Sequence, residues 1–511
     1  MHVVLVSRCL IFVGLICIQS HTFAQDEVSK HIEAHGPQIL SEFRSLLEIP
    51  NVYDDQPNVR RNAEFLLGAL KRRGVTAKLM ELEGINPIVF GELNVPGATG
   101  TIMLYAHYDG MPVNASRWRN PPFAPTLFAA PTDSQPLEWP SDGTQIKDSW
   151  RIYARSAADD KTPIQAILTA LDILAGSGSA PKSNIKVFFD GEEEDGSPHI
   201  RQFLKENARS LEADVWCFCD SPVHASGKPI LVFGCRGLLT FDITVYGANR
   251  ELHSGHFGNW APNPAIGLSA LLASMVSEDG TVLVNGFDEG TLELTPEEQA
   301  EIDRLPVQDE ELRTSYGLPR ANGRLADAPY RSSFNVRGIE SGQASGPVRT
   351  IIPSSATAAI DIRLAPGTNP DRTWRAVHEH IRREGFHVLA SNPTPEEIAR
   401  HKKICILGRP TNSIMPFKSP LNGPHMKKVI EAVESAARER PFLIPAMGAT
   451  LPVSPISELM DKPVVIVPTV NADNNQHTHD ENIRVGNLWY STRVMLELMK
   501  LEINAPTSMK H

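Results

Sequence analysis

Cysteine is scarce in this sequence, and the Cys-x-x-Cys spacing is absent. Six occur in 511 residues, two of them (Cys9 and Cys17) in an apolar N-terminal run, and no Cys-x-x-Cys pair exists. This is not the density of a disulfide scaffold. Cys217 and Cys219 alternate with Trp216 and Phe218 in a strand-like run, the pattern of buried thiols. Positive charge is also in deficit: 49 Lys and Arg against 60 Asp and Glu give a net charge of −11. That argues against a nucleic-acid-binding protein, which needs a basic face. No internal repeat is visible, and beyond the N-terminus no apolar run approaches the ~20 residues that span a bilayer.

What is present is a chain that is 41% hydrophobic and too long for one ordinary domain, so two or three cores are expected. The first residues read as a secretory leader. Arg8 precedes the apolar run 9–18, and Thr22, Phe23 and Ala24 precede Gln25. The expectation is a signal peptide over 1–24, export to a periplasm or out of the cell, and no stable membrane span afterwards.

Periodicity then gives the elements. Residues 28–48 and 60–73 read as amphipathic helices, followed by the strand-like runs TAKLMEL, PIVFGEL and TIMLYAH. Residues 112–150 are rich in Pro, Trp, Ser and Asp and read as a long loop, of a length that is usually functional. A helix over 162–175, a strand over 185–189, a helix near 200–207 and a strand over 215–219 complete a βαβαβ alternation. That alternation predicts a mostly parallel sheet with helices on both faces. The pattern changes at LLTFDITVYG, which alternates with period two as a half-exposed antiparallel strand does. A helix at NPAIGLSALLASM, strands at SSFNVRGI and ATAAIDIRL, and a helix over 371–384 follow, interrupted by an acidic insertion over about 288–325. This β-α-β-β-α-β order is that of a ferredoxin-like unit. The expected fold class is therefore α/β: a mostly parallel-sheet domain over 25–235 and 393–511, with an α+β domain inserted over 236–392.

Metal-ligand residue types sit just after several apolar runs. They are His107, Asp159, Glu193 with Glu194, Asp220 and His477. In an open α/β sheet the ligand crevice lies beyond the carboxyl ends of the strands, so these remote segments point to one shared site. Two His, three carboxylates and a spare Glu suit two divalent metals and a general base. Gly191 and Gly196 bracket the acidic run and permit a tight turn there.

The segments YAHYDGMPV, ARSAADDKTP, DGEEEDGS, CDSP, HSG and HTHDE stand in the order seen in the M20 family of di-zinc metallopeptidases. The chain resembles that family over nearly its whole length after the N-terminal run. The family includes carnosinase-like dipeptidases, glutamate carboxypeptidases, aminoacylases and acyl-amino-acid deacylases. The resemblance implies a zinc-hydrolase catalytic domain and makes the inserted unit a lid and dimerisation domain. It implies His107 and Asp220 on one metal, Glu194 and His477 on the other, and Asp159 bridging, with Asp109 orienting His107. Asp159 is preferred to Asp160 through the pattern Asp-x-Lys, and His477 to His479 because it stands four residues before Glu481. A cis peptide between Asp159 and Asp160 is implied as well. Glu193 becomes the general base that takes a proton from water and passes it to the leaving amine.

On the substrate side, His253 of the HSG segment corresponds to a lid histidine that reaches the neighbouring subunit's site and stabilises the oxyanion. Arg363 corresponds to a receiver of a substrate carboxylate. Gly448 and Thr450, in GATLP, resemble a substrate-contacting loop in which Ala449 and Thr450 replace Gly and Ser. Ala154, Ser156, Thr162 and Asp195 are further departures that remove no ligand. The implied cofactors are two Zn2+, with Mn2+ or Co2+ fitting similar ligands. The implied reaction is amide hydrolysis of a dipeptide or a C-terminal residue, with N-acyl-amino-acid deacylation as the alternative. A non-catalytic binding relative is a third class, against which the full ligand set argues. The implied partners are a peptide or N-acyl amino acid substrate and a second copy of the chain in a homodimer.

Overall fold

The computed structural model describes residues 26–178, 180–318 and 323–504. The larger of its two main sheets has eight strands. In order they are Thr76–Met80, Ile88–Leu93, Asn184–Asp190, Thr101–His107, Val215–Phe218, Val464–Ile466, Ile230–Val232 and Phe442–Ile444. From Asn184–Asp190 to Val464–Ile466 the pairings are parallel, as is the last one, between Ile230–Val232 and Phe442–Ile444. The two pairings at the Thr76–Met80 edge and that of Val464–Ile466 with Ile230–Val232 are antiparallel. The sheet is thus mixed, with a parallel centre.

That centre is buried on both faces because successive side chains feed two cores in turn. From Thr101–His107, Ile102, Leu104 and Ala106 pack with the helices Lys161–Ser177 and Val485–Met499. Met103 and Tyr105 pack on the opposite side with Phe188, Trp216, Phe218 and the helix Ile200–Glu206. A strand flanked this way must be apolar at every position, which is why TIMLYAH reads as a continuous run. Cys217 and Cys219 both pack in the core that holds Ile102, Leu104 and Ala106 and remain free, as do Cys235 and Cys405, all buried.

The second sheet runs in the order Ser333–Glu340, Ser355–Leu364, Gly237–Tyr246, Ile404–Leu407, His387–Leu389. Asn412–Ile414 also pairs with Gly237–Tyr246. This is a ferredoxin-like arrangement whose fourth strand is Ile404–Leu407, so the sheet draws on residues past the expected limit at 392. Burial explains the choice. Ile404, Cys405 and Leu407 are buried in the inserted core, whereas His387–Leu389 is half exposed and pairs outside them. One face of this sheet, with Leu239, Phe241, Ile243, Ile360 and Ile362, packs on the helices Pro264–Met275 and Pro370–Arg383. The other face carries Leu238, Thr240, Asp361 and Arg363.

Two segments depart from the simplest reading of the sequence. The stretch 112–150 is not all loop: Thr126–Phe128 pairs with Arg151–Tyr153, which pairs with Asn482–Arg484. This small sheet brings the HTHDE segment beside residues 154–160. The acidic insertion forms the helices Pro296–Asp303 and Asp309–Ser315, the first opened by a reciprocal cap between Thr295 and Glu298. It docks on Phe442–Ile444 of the larger unit, where the buried Glu298 pairs with Lys418 at 2.8 Å and Glu301 with Arg440. No helix among the described residues is long and apolar enough to cross a membrane.

Candidate metal centre

Adjacent parallel strands deliver most of the site. His107 is the last residue of Thr101–His107. Asp190 ends the neighbouring strand, and the single turn Glu193–Asp195 follows, closed by Gly196 at φ 81°. Asp220 lies two residues past Val215–Phe218, and His477 lies in the segment after Val464–Ile466. Strands that run the same way end at the same edge, so these side chains meet. Asp159 arrives by another route, from the segment between Arg151–Tyr153 and the helix Lys161–Ser177, and the peptide bond to Asp160 is cis.

Asp159 occupies the middle. Its Oδ1 is 3.0 Å from His107 Nε2, and its Oδ2 is 3.1 Å from His477 Nε2. His477 Nε2 is also 3.1 Å from Glu194 Oε2. On the other side, His107 Nε2 lies 3.8 Å from Glu193 Oε2 and 4.0 Å from Asp220 Oδ2. The donor atoms of His107, Glu193 and Asp220 lie within 4.8 Å of one another, as do those of His107, Asp159 and Glu194. Glu193 therefore stands among the possible ligands rather than apart from them. Asp109 Oδ1 is 3.2 Å from His107 Nδ1, and its other oxygen accepts the Glu194 backbone N–H at 3.0 Å. The alternatives weighed in the sequence turn elsewhere: Asp160 accepts the His107 backbone N–H, His479 meets Thr478, and Glu192 meets His199.

The cluster holds more negative charge than its imidazoles neutralise. Burial pushes the Glu193 carboxyl well above the usual range, and Asp220, Glu194 and Asp159 add to this while His107 opposes it. Burial and then Asp159 lift Glu194 to about 7 and Asp220 to about 6. Hydrogen bonds to Asp159 and Glu194 hold the His477 imidazole up at about 11. Burial alone would depress His107, but its bonds to Asp109 and Asp159 outweigh that and raise it. A divalent cation would reverse each of these penalties on the carboxylates. The imidazole and carboxylate donors suit zinc, manganese or cobalt, so the residues present fit such an ion.

Three supporting groups carried no functional reading in the sequence. Glu481, which served there only to set register, is fully buried. Its Oε1 accepts the N–H groups of Ala158 and Asp159, each at 2.9 Å. Its Oε2 accepts Ser156 N–H at 2.9 Å and Arg155 Nη1 at 2.8 Å. Arg155 also donates to the Thr478 carbonyl at 3.0 Å and lies over the Trp118 ring, so Asp159 and the His477 segment are braced as one unit. Asp190 accepts from Tyr105 Oη, Ser197 Oγ and Glu192 N and fixes the acidic turn. Lys161, buried, donates to the carbonyls of Leu46 and Ile49. A lysine two residues after the candidate ligand Asp159, at the start of an apolar helix, was the available signal for Lys161.

The His–carboxylate cluster opens into a cleft of about 250 Å³ walled by Ser221, Ile414, Ala449, Thr450, Leu451 and Pro452. Arg363 Nη1 donates to Thr450 Oγ1 at 2.9 Å, and Gly448 offers its carbonyl to Arg236 Nε at 3.0 Å. His253 is not brought to this cleft. It is exposed at the start of the short helix Ser254–Phe257, with its Nδ1 accepting Gly255 N–H. A larger cleft of about 620 Å³ opens between the helix Glu27–Leu47 and residues 142–148, remote from the His–carboxylate cluster.

Comparison with known proteins gives a consistent relationship. The model of peptidase family M20/M25/M40 matches residues 103–501. A Cys-Gly metallodipeptidase of Schizosaccharomyces pombe is 26% identical over 376 residues, covering 70% of this chain and 75% of the relative. The human Beta-Ala-His dipeptidase is 25% identical over 422 residues, covering 80% and 76%. The crystal structure of an M20 family metallo-carboxypeptidase from Sulfolobus solfataricus superposes with a TM-score of 0.74 at 26% identity, covering 91% of this chain and 99% of that one. Human carnosine dipeptidase 1 shares the fold, with a TM-score of 0.69 at 21% identity, covering 93% and 98%. The expectation of export, periplasmic or secreted, does not stand. The Cys-Gly metallodipeptidases among these relatives are intracellular enzymes, and residues 1–25, which carried the leader reading, lie outside the described residues. An apolar run that short is also the composition of a buried strand or helix segment, so composition alone did not decide an address. With the family model spanning most of its length, the chain belongs to peptidase family M20/M25/M40 and is a hydrolase acting on peptide bonds.

Proposed function

We propose that this hydrolase cleaves dipeptides with a free C-terminal carboxylate at a two-metal centre. The carrying observation is the placement of Asp159, one oxygen toward each imidazole, between Asp220 on one side and Glu194 on the other. His107 and Asp220 would hold one ion, His477 and Glu194 the second, with Asp159 shared. Zn2+ is the proposed ion at both places, and Mn2+ or Co2+ would fit the same donors. Ions bound there supply Lewis acidity toward a scissile carbonyl and acidify water.

The chain's own groups do the rest. Asp109 holds His107 through Nδ1, which keeps Nε2 turned toward Asp159. Glu193 Oε2 takes a proton as water oxygen bonds to the carbonyl carbon. The same proton passes to the amide nitrogen as the C–N bond breaks, releasing an acid and an amine. Its Oε2, 3.8 Å from His107 Nε2 and beside Asp220, places Glu193 at the edge of the cluster where such a proton would be exchanged. Arg363, bonded to Thr450, receives the substrate carboxylate in this reading, with Gly448, which Arg236 holds, in the same loop. The names of the relatives, a Cys-Gly metallodipeptidase and a Beta-Ala-His dipeptidase, support dipeptides as the class.

The inserted unit, from 236 to about 414, serves in this reading as lid and dimer surface. Its sheet ends on Ser333–Glu340, whose outer edge has no partner strand among the described residues. On the same unit, Trp260, in the turn before the helix Pro264–Met275, is exposed at 78% and Ile266 of that helix at 69%, apolar surface that a second copy would cover. His253 is free to reach that copy's cleft. The test is direct: purified protein, its metal content measured, against a panel of dipeptides and N-acyl amino acids. Hydrolysis of dipeptides with about two metal ions bound is expected, and Glu193→Ala should keep the metal and lose the activity. Two bound ions with every dipeptide untouched, or full activity in Glu193→Ala, overturns the reading. Mixing His253→Ala with Glu193→Ala subunits should restore part of the activity; no restoration at any ratio removes the cross-subunit role.

A further inference from the structure

We propose that Arg236 and Arg363 form a paired guanidinium subsite that selects dipeptides whose C-terminal residue carries a second carboxylate, Asp or Glu. The inference rests on the dipeptidase reading and narrows its substrate class.

Arg363 lies on one face of the inserted sheet, opposite Leu238 in the antiparallel ladder, and Arg236 immediately precedes Gly237, the first residue of that ladder, near enough for its charge to oppose that of Arg363. Ile414 pairs with Leu238 from the other flank and lines the catalytic cleft, so this face looks toward the metal centre. Both arginines lean on one short segment of the cleft wall. Arg236 Nε donates to the Gly448 carbonyl and its backbone N–H to Ala449, while Arg363 Nη1 donates to Thr450. A side chain at 448 would put its Cβ 3.3 Å from Arg236 Nη2, so glycine there lets the guanidinium lie against the loop.

Neither cation has a carboxylate within 4 Å among the described residues. Asp361, on the same face, attracts Arg236 only at longer range and is itself held by Asn335 at 2.9 Å. The two terminal nitrogens of Arg236 have no hydrogen-bond partner among the described residues, although the residue is half buried. Burial and the nearby Arg363 both act against its charge. Like charges held together without a counter-ion are costly unless a ligand completes the site. A C-terminal carboxylate answers one guanidinium; an acidic side chain on that same residue answers the other, each by the forked geometry arginine offers. The metal end of the cleft is anionic, and the two arginines bond to the 448–450 segment that forms part of its wall, so a substrate lying between them would meet opposite charge at its two ends.

The experiment compares kcat/KM for Ala-Glu with the isosteric Ala-Gln, using zinc-loaded full-length protein. Ala-Glu should be favoured about tenfold or more, the yield of one added charge-assisted hydrogen bond, mostly through KM, and the ratio should shrink at high salt. Arg236→Gln should bring the ratio toward one, and Arg236→Lys, which keeps the charge, should recover part of it. Hydrolysis of both substrates at equal rates by the unaltered protein overturns the inference and leaves the dipeptidase reading intact. A ratio unchanged in Arg236→Gln overturns it as well. Zinc-loaded protein that cleaves no dipeptide at all overturns both.

Discussion

Replacing Glu481 by Gln should loosen the segment that carries Asp159, by an amount the geometry fixes. The carboxylate accepts four donors, two per oxygen, from Arg155, Ser156, Ala158 and Asp159. Gln has the same shape but one acceptor oxygen, so in either orientation two donors face an NH2 group. Hydrogen bonds to a charged group contribute ~1.5–3 kcal/mol each, and removing one partner of a buried ion pair costs ~3–5 kcal/mol. The two figures describe one loss and are not summed. Burial raises the Glu481 carboxyl, so part of the gain is already spent on its desolvation, which places the expected loss at the lower end, ~3 kcal/mol. Because the damage is local, the assay is amide hydrogen exchange in residues 154–160 of the metal-free protein, with zinc affinity from chelator competition beside it. Protection should fall by about two orders of magnitude for ~3 kcal/mol. Zinc affinity should fall roughly 10–100-fold, as it does when a group orienting a ligand is lost. Unchanged protection together with unchanged affinity would refute the view that Glu481 braces the ligand segment.

Three other outcomes are expected. Metal binding should release protons, and affinity should rise with pH through 6 to 7. In the metal-free site Asp220 and Glu194 keep their protons up to about 6 and 7, and His477 keeps its own far higher, and all three must shed them to bind. Calorimetry in buffers of different ionisation enthalpy reads this, and affinity that is flat from pH 5.5 to 8 would contradict it. Gly191→Ala should cost ~1–3 kcal/mol in thermal unfolding, because the new Cβ would sit 2.5 Å from Tyr108 Oη with the Pro87 carbonyl behind. Lys418→Met strands Glu298 without its partner in a buried position and should cost ~3–5 kcal/mol. Limited proteolysis between 288 and 325 would show the insertion detaching, and resistance equal to the parent's would count against the docking role.

The buried strands and the residues at their ends were readable because they obey local rules. A strand covered on both faces is apolar at every position, and a parallel strand delivers its last residue to the common edge, as His107, Glu193, Glu194 and Asp220 illustrate. The strands of the small third sheet were not readable. Thr126–Phe128, Arg151–Tyr153 and Asn482–Arg484 have no periodicity to detect and exist only because each finds the others. The same holds for the competition in which Ile404–Leu407, not His387–Leu389, lies beside Gly237–Tyr246.

Composition, run lengths and ordered motifs alone determined that this chain would build an α/β core, insert an antiparallel unit and carry the donors for a divalent-metal site. Whether those donors meet was decided only by tertiary structure. Arg155 and Glu481 are 326 positions apart, and Asp159 reaches the middle of the cluster because Glu481 accepts its backbone N–H. A hydrogen bond between segments so remote leaves no trace in either one's local pattern; it arises when burial forces a carboxylate to find four donors at once.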